Sequence, residues 1–180
     1  MGLDSVEIVM GWEEALGVTI TDAEAASIRT PGTAINLLCT KLGATNERRG
    51  ACLSLRAFNR LRRGLVEGAG LSRNQITPKS KLRELLPDHE SRSCWNAVQI
   101  ASRLPKLPKL EWVFGMFVSR STISDLVHSI ICATPKALKS PDDQWTRQEI
   151  RTVVRAITSE ISGAKDFSDK DDFIKDIGID

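Results

Sequence analysis

Apolar residues recur at three- and four-residue spacing along most of this chain, and each such run is bounded by residues that start or stop helices. The clearest run begins at Thr146, which with Glu149 three residues later forms a capping box, and it stops at Gly163. Its apolar face consists of Ile150, Val153, Val154, Ile157 and Ile161. This period is typical of amphipathic α-helices, so the sequence predicts an all-α protein.

The N-terminal segment shows the same period. One helix face is predicted to carry Val6, Val9, Met10, Glu13 and Leu16. Asp4 and Ser5 occupy the predicted N-cap, and Gly17 is a plausible C-terminal stop. Taken by themselves, Asp4 and Ser5 are residues that commonly cap helices. Two shorter helices are predicted to follow, one capped by Thr21 and one by Thr30 with Pro31 at its first position.

Several motifs in this segment occur in the order that acyl carrier proteins show. In that family Asp-Ser-Leu or Asp-Ser-Val opens the second helix, and a Val-Glu-x-Val-Met-x-x-Glu-Glu pattern follows. The corresponding residues here are Asp4-Ser5-Val6 and Val6-Glu7-Ile8-Val9-Met10-Gly11-Trp12-Glu13-Glu14. The family's fourth-helix opening matches Thr30-Pro31-Gly32-Thr33-Ala34-Ile35. Residues 2–42 therefore resemble acyl carrier proteins.

The resemblance implies a carrier and not an enzyme. Ser5 would bear a covalent 4'-phosphopantetheine arm, attached by a phosphopantetheinyl transferase, with Asp4 as the flanking motif residue. Glu7, Glu13 and Glu14 would dock the acyl-loading and acyl-processing enzymes of fatty-acid, polyketide or related biosynthesis, although such glutamates also simply solvate a helix. Helix N-termini favour phosphate groups, which agrees with an arm at this position.

The C-terminal end of the chain resembles the part that the N-terminal segment lacks. Family members carry Asp-x-x-Phe-x-x-Asp-Leu-Gly-x-Asp directly before the modified serine, and the chain ends with Phe173-Ile174-Lys175-Asp176-Ile177-Gly178-Ile179-Asp180. Residues 145–180 would thus supply the displaced first helix and loop. The resemblance predicts a circularly permuted four-helix bundle, completed within one chain or by exchange of the C-terminal segment in a homodimer.

The middle of the chain repeats the helical layout without the attachment motif, since no Asp-Ser-Leu occurs there. The predicted organisation is therefore two acyl-carrier-like bundles. One comprises residues 1–43 plus 144–180, the other is a degenerate copy at 51–134, and 44–50 and 135–143 are linkers. Trp12 is predicted to be partly buried, in its own bundle or between the two.

Charge is strongly segregated within a nearly neutral chain. Residues 1–43 carry a net charge of −4, residues 44–140 carry +10, and the last 40 carry −4. A basic middle allows a second hypothesis, an interaction module that binds nucleic acid or an acidic partner. Its phosphate-binding residues would be Arg56, Arg60, Arg62, Arg63, Arg73, Lys79, Lys81 and Arg83.

Other function classes find little support in the sequence. The four cysteines are scattered and two histidines accompany them, so no metal site is predicted. No Ser-His-Asp order or glycine-rich phosphate loop points to a hydrolase or transferase. Neither a signal peptide nor a membrane span is predicted, and cytoplasm is the expected location.

Overall fold

A computed structural model describes residues 2–46, 51–86, 91–109, 112–113, 116–117, 121–140 and 142–179. The protein is all-α, as predicted. The described residues form eight α-helices, two 3-10 helices and one antiparallel pair of two-residue strands. The α-helices are α1 (Leu3–Leu16), α2 (Asp22–Ser27), α3 (Pro31–Lys41), α4 (Leu53–Ala69), α5 (Leu82–Leu85), α6 (Ser91–Ser102), α7 (Ile123–Ala133) and α8 (Arg147–Ser162). The strands are β1 (Trp112–Val113) and β2 (Met116–Phe117), and the 3-10 helices are Arg73–Gln75 and Pro135–Leu138.

The chain divides into two compact units. Unit 1 comprises Met1–Gly50 and Lys139–Asp180, so it contains both ends of the chain, and unit 2 is Ala51–Leu138. The resemblance of either unit to a carrier bundle, and exchange of the C-terminal segment between chains, stay predictions.

In unit 1, α1 and α3 both pack against α8. The buried side of α1 is Ile8, Trp12, Ala15 and Leu16. Of the predicted face, Leu16 is buried, but the face as a whole was wrong, because Val6 and Met10 are 39% and 60% exposed. Gly11 explains the rotation: a Cβ there would lie 2.8 Å from Cγ2 of Ile157, so α8 approaches α1 on the glycine's side.

Helix α1 also begins earlier than predicted. Its N-cap is Gly2, in extended conformation and without a side-chain capping bond, which places Ser5 at the third helical position. The hydroxyl of Ser5 donates to the carbonyl oxygen of Gly2 at 2.8 Å. A serine that bonds back to a carbonyl three residues earlier is compatible with helix, so the predicted cap at Asp4 and Ser5 is wrong.

The other predicted helix boundaries in unit 1 are confirmed. Thr21 and Thr30 cap α2 and α3 with reciprocal capping boxes, and Pro31 opens α3. Thr146 and Glu149 form the predicted box at the start of α8. Gly17 and Gly163 end α1 and α8 in the left-handed conformation, where glycine has no steric cost.

The C-terminal segment after Gly163 folds back over α2 and α3. Phe167 and Phe173 are both buried, and the backbone N–H of Phe173 donates to the carbonyl oxygen of Arg29 at 3.0 Å. Asp169 accepts from Nε of Arg151 at 2.6 Å, while its carbonyl accepts from the N–H of Gly32 at 2.8 Å. These bonds fix the segment against the remainder of unit 1.

Unit 2 is built on the close pairing of α4 with α6, to which α7 adds. The loop between α4 and α6 is held by Ile76, Leu82 and Leu86, which are all buried. Lys81 pairs with Thr122 in an isolated antiparallel bridge, so this loop is joined to the start of α7. Residues 87–90, where the attachment motif would stand in this unit, lie outside the described ranges.

Both predicted linkers contain ordered structure. Thr45 pairs in parallel with Thr146, which ties the end of α3 to the start of α8, while residues 47–50 lie outside the described ranges. In the linker predicted at 135–143, Pro135 and Leu138 are buried within unit 2, and Lys139 belongs to unit 1.

Among the helices that the structure describes, none has the length and apolar character needed to cross a bilayer.

Candidate functional site

The predicted attachment residue, Ser5, lies in the first turn of α1 and is half-buried. Its first-turn position puts it among the backbone N–H groups that precede the first intrahelical bond, which runs from Val6 to Gly2. A phosphate ester on this hydroxyl would meet the positive end of the helix dipole. Attachment would require the 2.8 Å bond from the hydroxyl to Gly2 to break.

Ser5 also lines a cavity of about 280 Å³ that lies wholly within unit 1. The cavity floor is made by buried apolar side chains from three parts of the sequence. They are Ile8 and Trp12 of α1, Ala25 of α2, and Phe173 and Ile179 of the C-terminal segment. The Trp12 ring packs on Phe173 with centroids 6.0 Å apart, so Trp12 is buried in its own unit.

We define the cavity rim as the lining residues that are exposed or half-buried, which are Ser5, Val9, Ala26, Ile28, Arg29 and Ile174. Ile174 is 65% exposed and Arg29 is exposed, which puts both at the solvent side. Among the described residues that line the cavity, Arg29 is the one that carries a charge. The opening therefore combines a hydroxyl and a cation above an apolar interior.

A turn at Asp172 positions the part of the C-terminal segment that closes the cavity. Its carboxylate accepts from the backbone N–H groups of Lys175 and Ile174 at 3.1 and 3.0 Å. These bonds, that of Lys175 foremost, lower the pKa of Asp172, and the charges of Lys175 and Arg29 add to the effect. The carboxylate is thus committed to holding the turn that carries Ile174 to the rim.

The three predicted docking glutamates are not equivalent. Glu7 and Glu14 are exposed, two turns apart on one side of α1. Glu13 instead accepts from the backbone N–H of Ile20 at 2.6 Å, which fixes the loop after α1. Glu13 therefore holds this loop, and its role in docking stays a prediction.

The side of α1 that carries Glu7 and Glu14 also exposes Val6 and Met10, which belonged to the predicted apolar face. We define the docking strip as Leu3, Val6, Glu7, Met10 and Glu14. Leu3 and Met10 are 74% and 60% exposed. The signal was present in the sequence, because Ile8, Trp12, Ala15 and Leu16 form an alternative apolar face with the same spacing.

Helix α2, which supplies Ala25 to the cavity, is held by Glu24. Its carboxylate pairs with Nζ of Lys41 at 2.8 Å and accepts from the backbone N–H of Thr21 at 2.8 Å. The hydrogen bond from Lys41 and then that from Thr21 lower the pKa of Glu24 from 4.5 to about 2.

We expect Glu24→Gln to remove a pH-dependent part of the stability. A lowered folded-state pKa means that the ionised carboxylate favours the folded state above pH 4.5, and that this contribution is lost as the pH falls towards about 2. Urea unfolding of wild type and variant should therefore differ near neutral pH and converge in acid. Lys41→Met should reduce the same difference, and an unchanged gap at low pH would contradict the assignment.

Two arginines of the second hypothesis, Arg56 and Arg63, lie close enough to Arg60 on α4 for their charges to act on it. Its Nη1 donates to the carbonyl oxygen of Arg103 at 3.4 Å. Burial lowers the pKa of Arg60, with the charges of Arg63, Arg56 and Arg103 contributing after it. Arg62 instead lies over the ring of Phe58 at 4.8 Å and donates to Asn59 at 2.7 Å. Nucleic-acid binding by this cluster stays a prediction.

No family model, no curated protein and no solved structure matches the chain.

Proposed function

We propose that this protein is a carrier that bears a 4'-phosphopantetheine arm on Ser5 and presents thioester-bound acyl groups to partner enzymes. The observation that carries the proposal is that Ser5 lines an apolar cavity and lies in the first turn of a helix. The proposal assigns no catalytic residue to the chain, and the partner enzymes would do the chemistry.

The chemistry of attachment fits the position. The transferase would form a phosphodiester between the Ser5 oxygen and the arm, with the serine proton lost and the adenosine bisphosphate part of coenzyme A as leaving group. The new phosphate would lie at the positive end of α1, where negative charge is stabilised by about 0.3–1 kcal/mol at an exposed site. Asp4, the flanking residue, occupies the same first turn and is half-buried.

The cavity suits a medium-length acyl chain. Protein cavities of about 150 Å³ lined by aliphatic and aromatic groups take up a six-carbon ring, so about 280 Å³ is room for roughly ten carbon atoms. An acyl group on the arm would gain about 0.8 kcal/mol for each methylene buried there. Sequestration would also keep water from the thioester.

The docking strip supports the proposed contacts with partner enzymes. Exposed apolar side chains supply area to a partner, while Glu7 and Glu14 would accelerate encounter with a basic surface. The phosphopantetheinyl transferase, and the enzymes that load and process the acyl group, are the partners that the proposal requires. A cytoplasmic location stays part of the same proposal.

Mass spectrometry of the intact protein tests the proposal. Incubation with coenzyme A and a broad-specificity phosphopantetheinyl transferase should add the mass of one arm to wild type and none to Ser5→Ala. Ser27→Ala is the matched control, because Ser27 is an exposed serine of unit 1 that also bonds back to a carbonyl three residues earlier. That variant should gain the arm like wild type. No gain on wild type, or a gain on Ser5→Ala, would overturn the proposal.

A further inference from the structure

The charge at the rim of the cavity indicates a ligand with an anionic end. Arg29 is exposed, and within the described residues its guanidinium has neither a hydrogen bond nor an ion pair. Its charge acts on Asp172, whose Oδ1 already accepts from the N–H groups of Ile174 and Lys175. The cation at the rim is therefore available to a bound anion.

The backbone of Arg29 is fixed at this place. Its carbonyl oxygen accepts from the N–H of Phe173, and its own N–H donates to Oγ1 of Thr33 at 3.1 Å. Phe173 is a floor residue of the cavity, so the bond joins the rim to the floor. Only the long side chain of Arg29 would have to adjust when a ligand enters.

We infer that the cavity binds free straight-chain carboxylates of about ten carbons without a covalent bond, with the carboxylate on Arg29 and the chain on the apolar floor. The chain length follows from the volume of about 280 Å³. A guanidinium recognises a carboxylate with two parallel hydrogen bonds, which favours it over a neutral or cationic head group. This site does not require an arm on Ser5, so the inference goes beyond the proposed function.

Titration calorimetry with sodium decanoate tests the inference on the full chain. Protein whose intact mass shows no arm should bind decanoate, because the guanidinium of Arg29 and not the arm is the recognition group. Decanol and decyltrimethylammonium should bind at least tenfold more weakly than decanoate. Hexanoate should also bind more weakly, because each methylene removed from the apolar floor lowers affinity by roughly fourfold.

Substitutions at the rim and the wall locate the site. Arg29→Gln should weaken decanoate binding about tenfold, and Arg29→Lys should retain part of the affinity because the charge remains. Lys165→Met, which removes an exposed cation that does not line the cavity, should have no effect. Val9→Phe should abolish binding by filling the cavity from α1. Far-UV circular dichroism checks that each variant is folded.

The results separate this inference from the proposed function. No heat with decanoate, equal affinity for decanol, or wild-type affinity in folded Arg29→Gln would each overturn the inference. None of these results bears on whether Ser5 gains the arm, which the intact mass reports independently.

Discussion

Replacing Glu149 by alanine is expected to destabilise unit 1 by about 3–5 kcal/mol, since it leaves a buried ammonium group without its counter-ion. Nζ of Lys139 lies 2.7 Å from the carboxylate of Glu149, and both side chains are only 6% exposed. The same carboxylate accepts from the backbone N–H of Thr146 at 3.0 Å, so the variant also loses the capping box of α8. The free energy of unfolding in urea, followed by far-UV circular dichroism, measures the loss.

Two further variants distinguish a buried pair from a merely local effect. Gln148→Ala changes an exposed neighbour on α8 and should alter stability by less than about 0.5 kcal/mol. Replacing Lys139 and Glu149 together by methionine should cost less than Glu149→Ala alone, because no unpaired charge remains. A double variant less stable than the single one would show that the charge pair is not the source of the effect.

Alanine at Gly64 or Gly68 of α4 should destabilise unit 2 by about 3 kcal/mol. A Cβ at Gly68 would lie 2.5 Å from the backbone nitrogen of Val98, and one at Gly64 would lie 2.5 Å from the carbonyl oxygen of Val98. Both contacts are with the backbone of α6, so the helices must separate for alanine to fit. Burial of the α4–α6 interface would then be lost along its length.

The sign of this effect makes the test sharp. By helix propensity alone, alanine in place of glycine should stabilise α4 by about 1 kcal/mol. Glu67→Ala, at an exposed position beside Gly68, is the matched control and should be nearly neutral. Urea unfolding of the three variants gives the comparison, and a stabilised Gly68→Ala protein would show that α4 and α6 are not in close backbone contact.

Helix boundaries could be predicted where local chemistry determines them. Thr21, Thr30 and Thr146 each bond the backbone three residues on, and this interaction needs nothing from the remainder of the fold. Gly17 and Gly163 likewise end their helices through a local conformation. For the same reason the class of the fold, all-α, could be predicted from periodicity and caps.

The orientation of α1 could not be predicted locally, because two apolar faces with equal spacing compete along it. Gly11 decides between them, since the side with a glycine lets Ile157 of α8 approach α1 closely. The cavity was also missed. Its floor joins α1, α2 and the C-terminal segment, and no local pattern indicates that Ile8, Ala25 and Phe173 will enclose a space. Arg29 comes to line the cavity only when these elements pack together.

The charged residues divide in the same way. Glu7 and Glu14 are exposed as the docking prediction requires, whereas Glu13, which directly precedes Glu14 in the motif, accepts from the N–H of Ile20. A motif specifies residue types and spacing, but it does not show which of the two adjacent glutamates bonds to the protein's own backbone. The hydrogen bond from Ile20 to Glu13 distinguishes Glu13 from Glu14.

Fragment-ion mapping of the loaded protein tests the central claim most directly, because it identifies the residue that bears the arm. Arg29 is the first basic residue of the chain, so trypsin releases an N-terminal peptide that ends there and contains both Ser5 and Ser27. We predict that every fragment that retains the arm contains Ser5 and that fragments covering only Ser27 lack it. An arm on Ser27, or on a peptide from another part of the chain, would contradict the account.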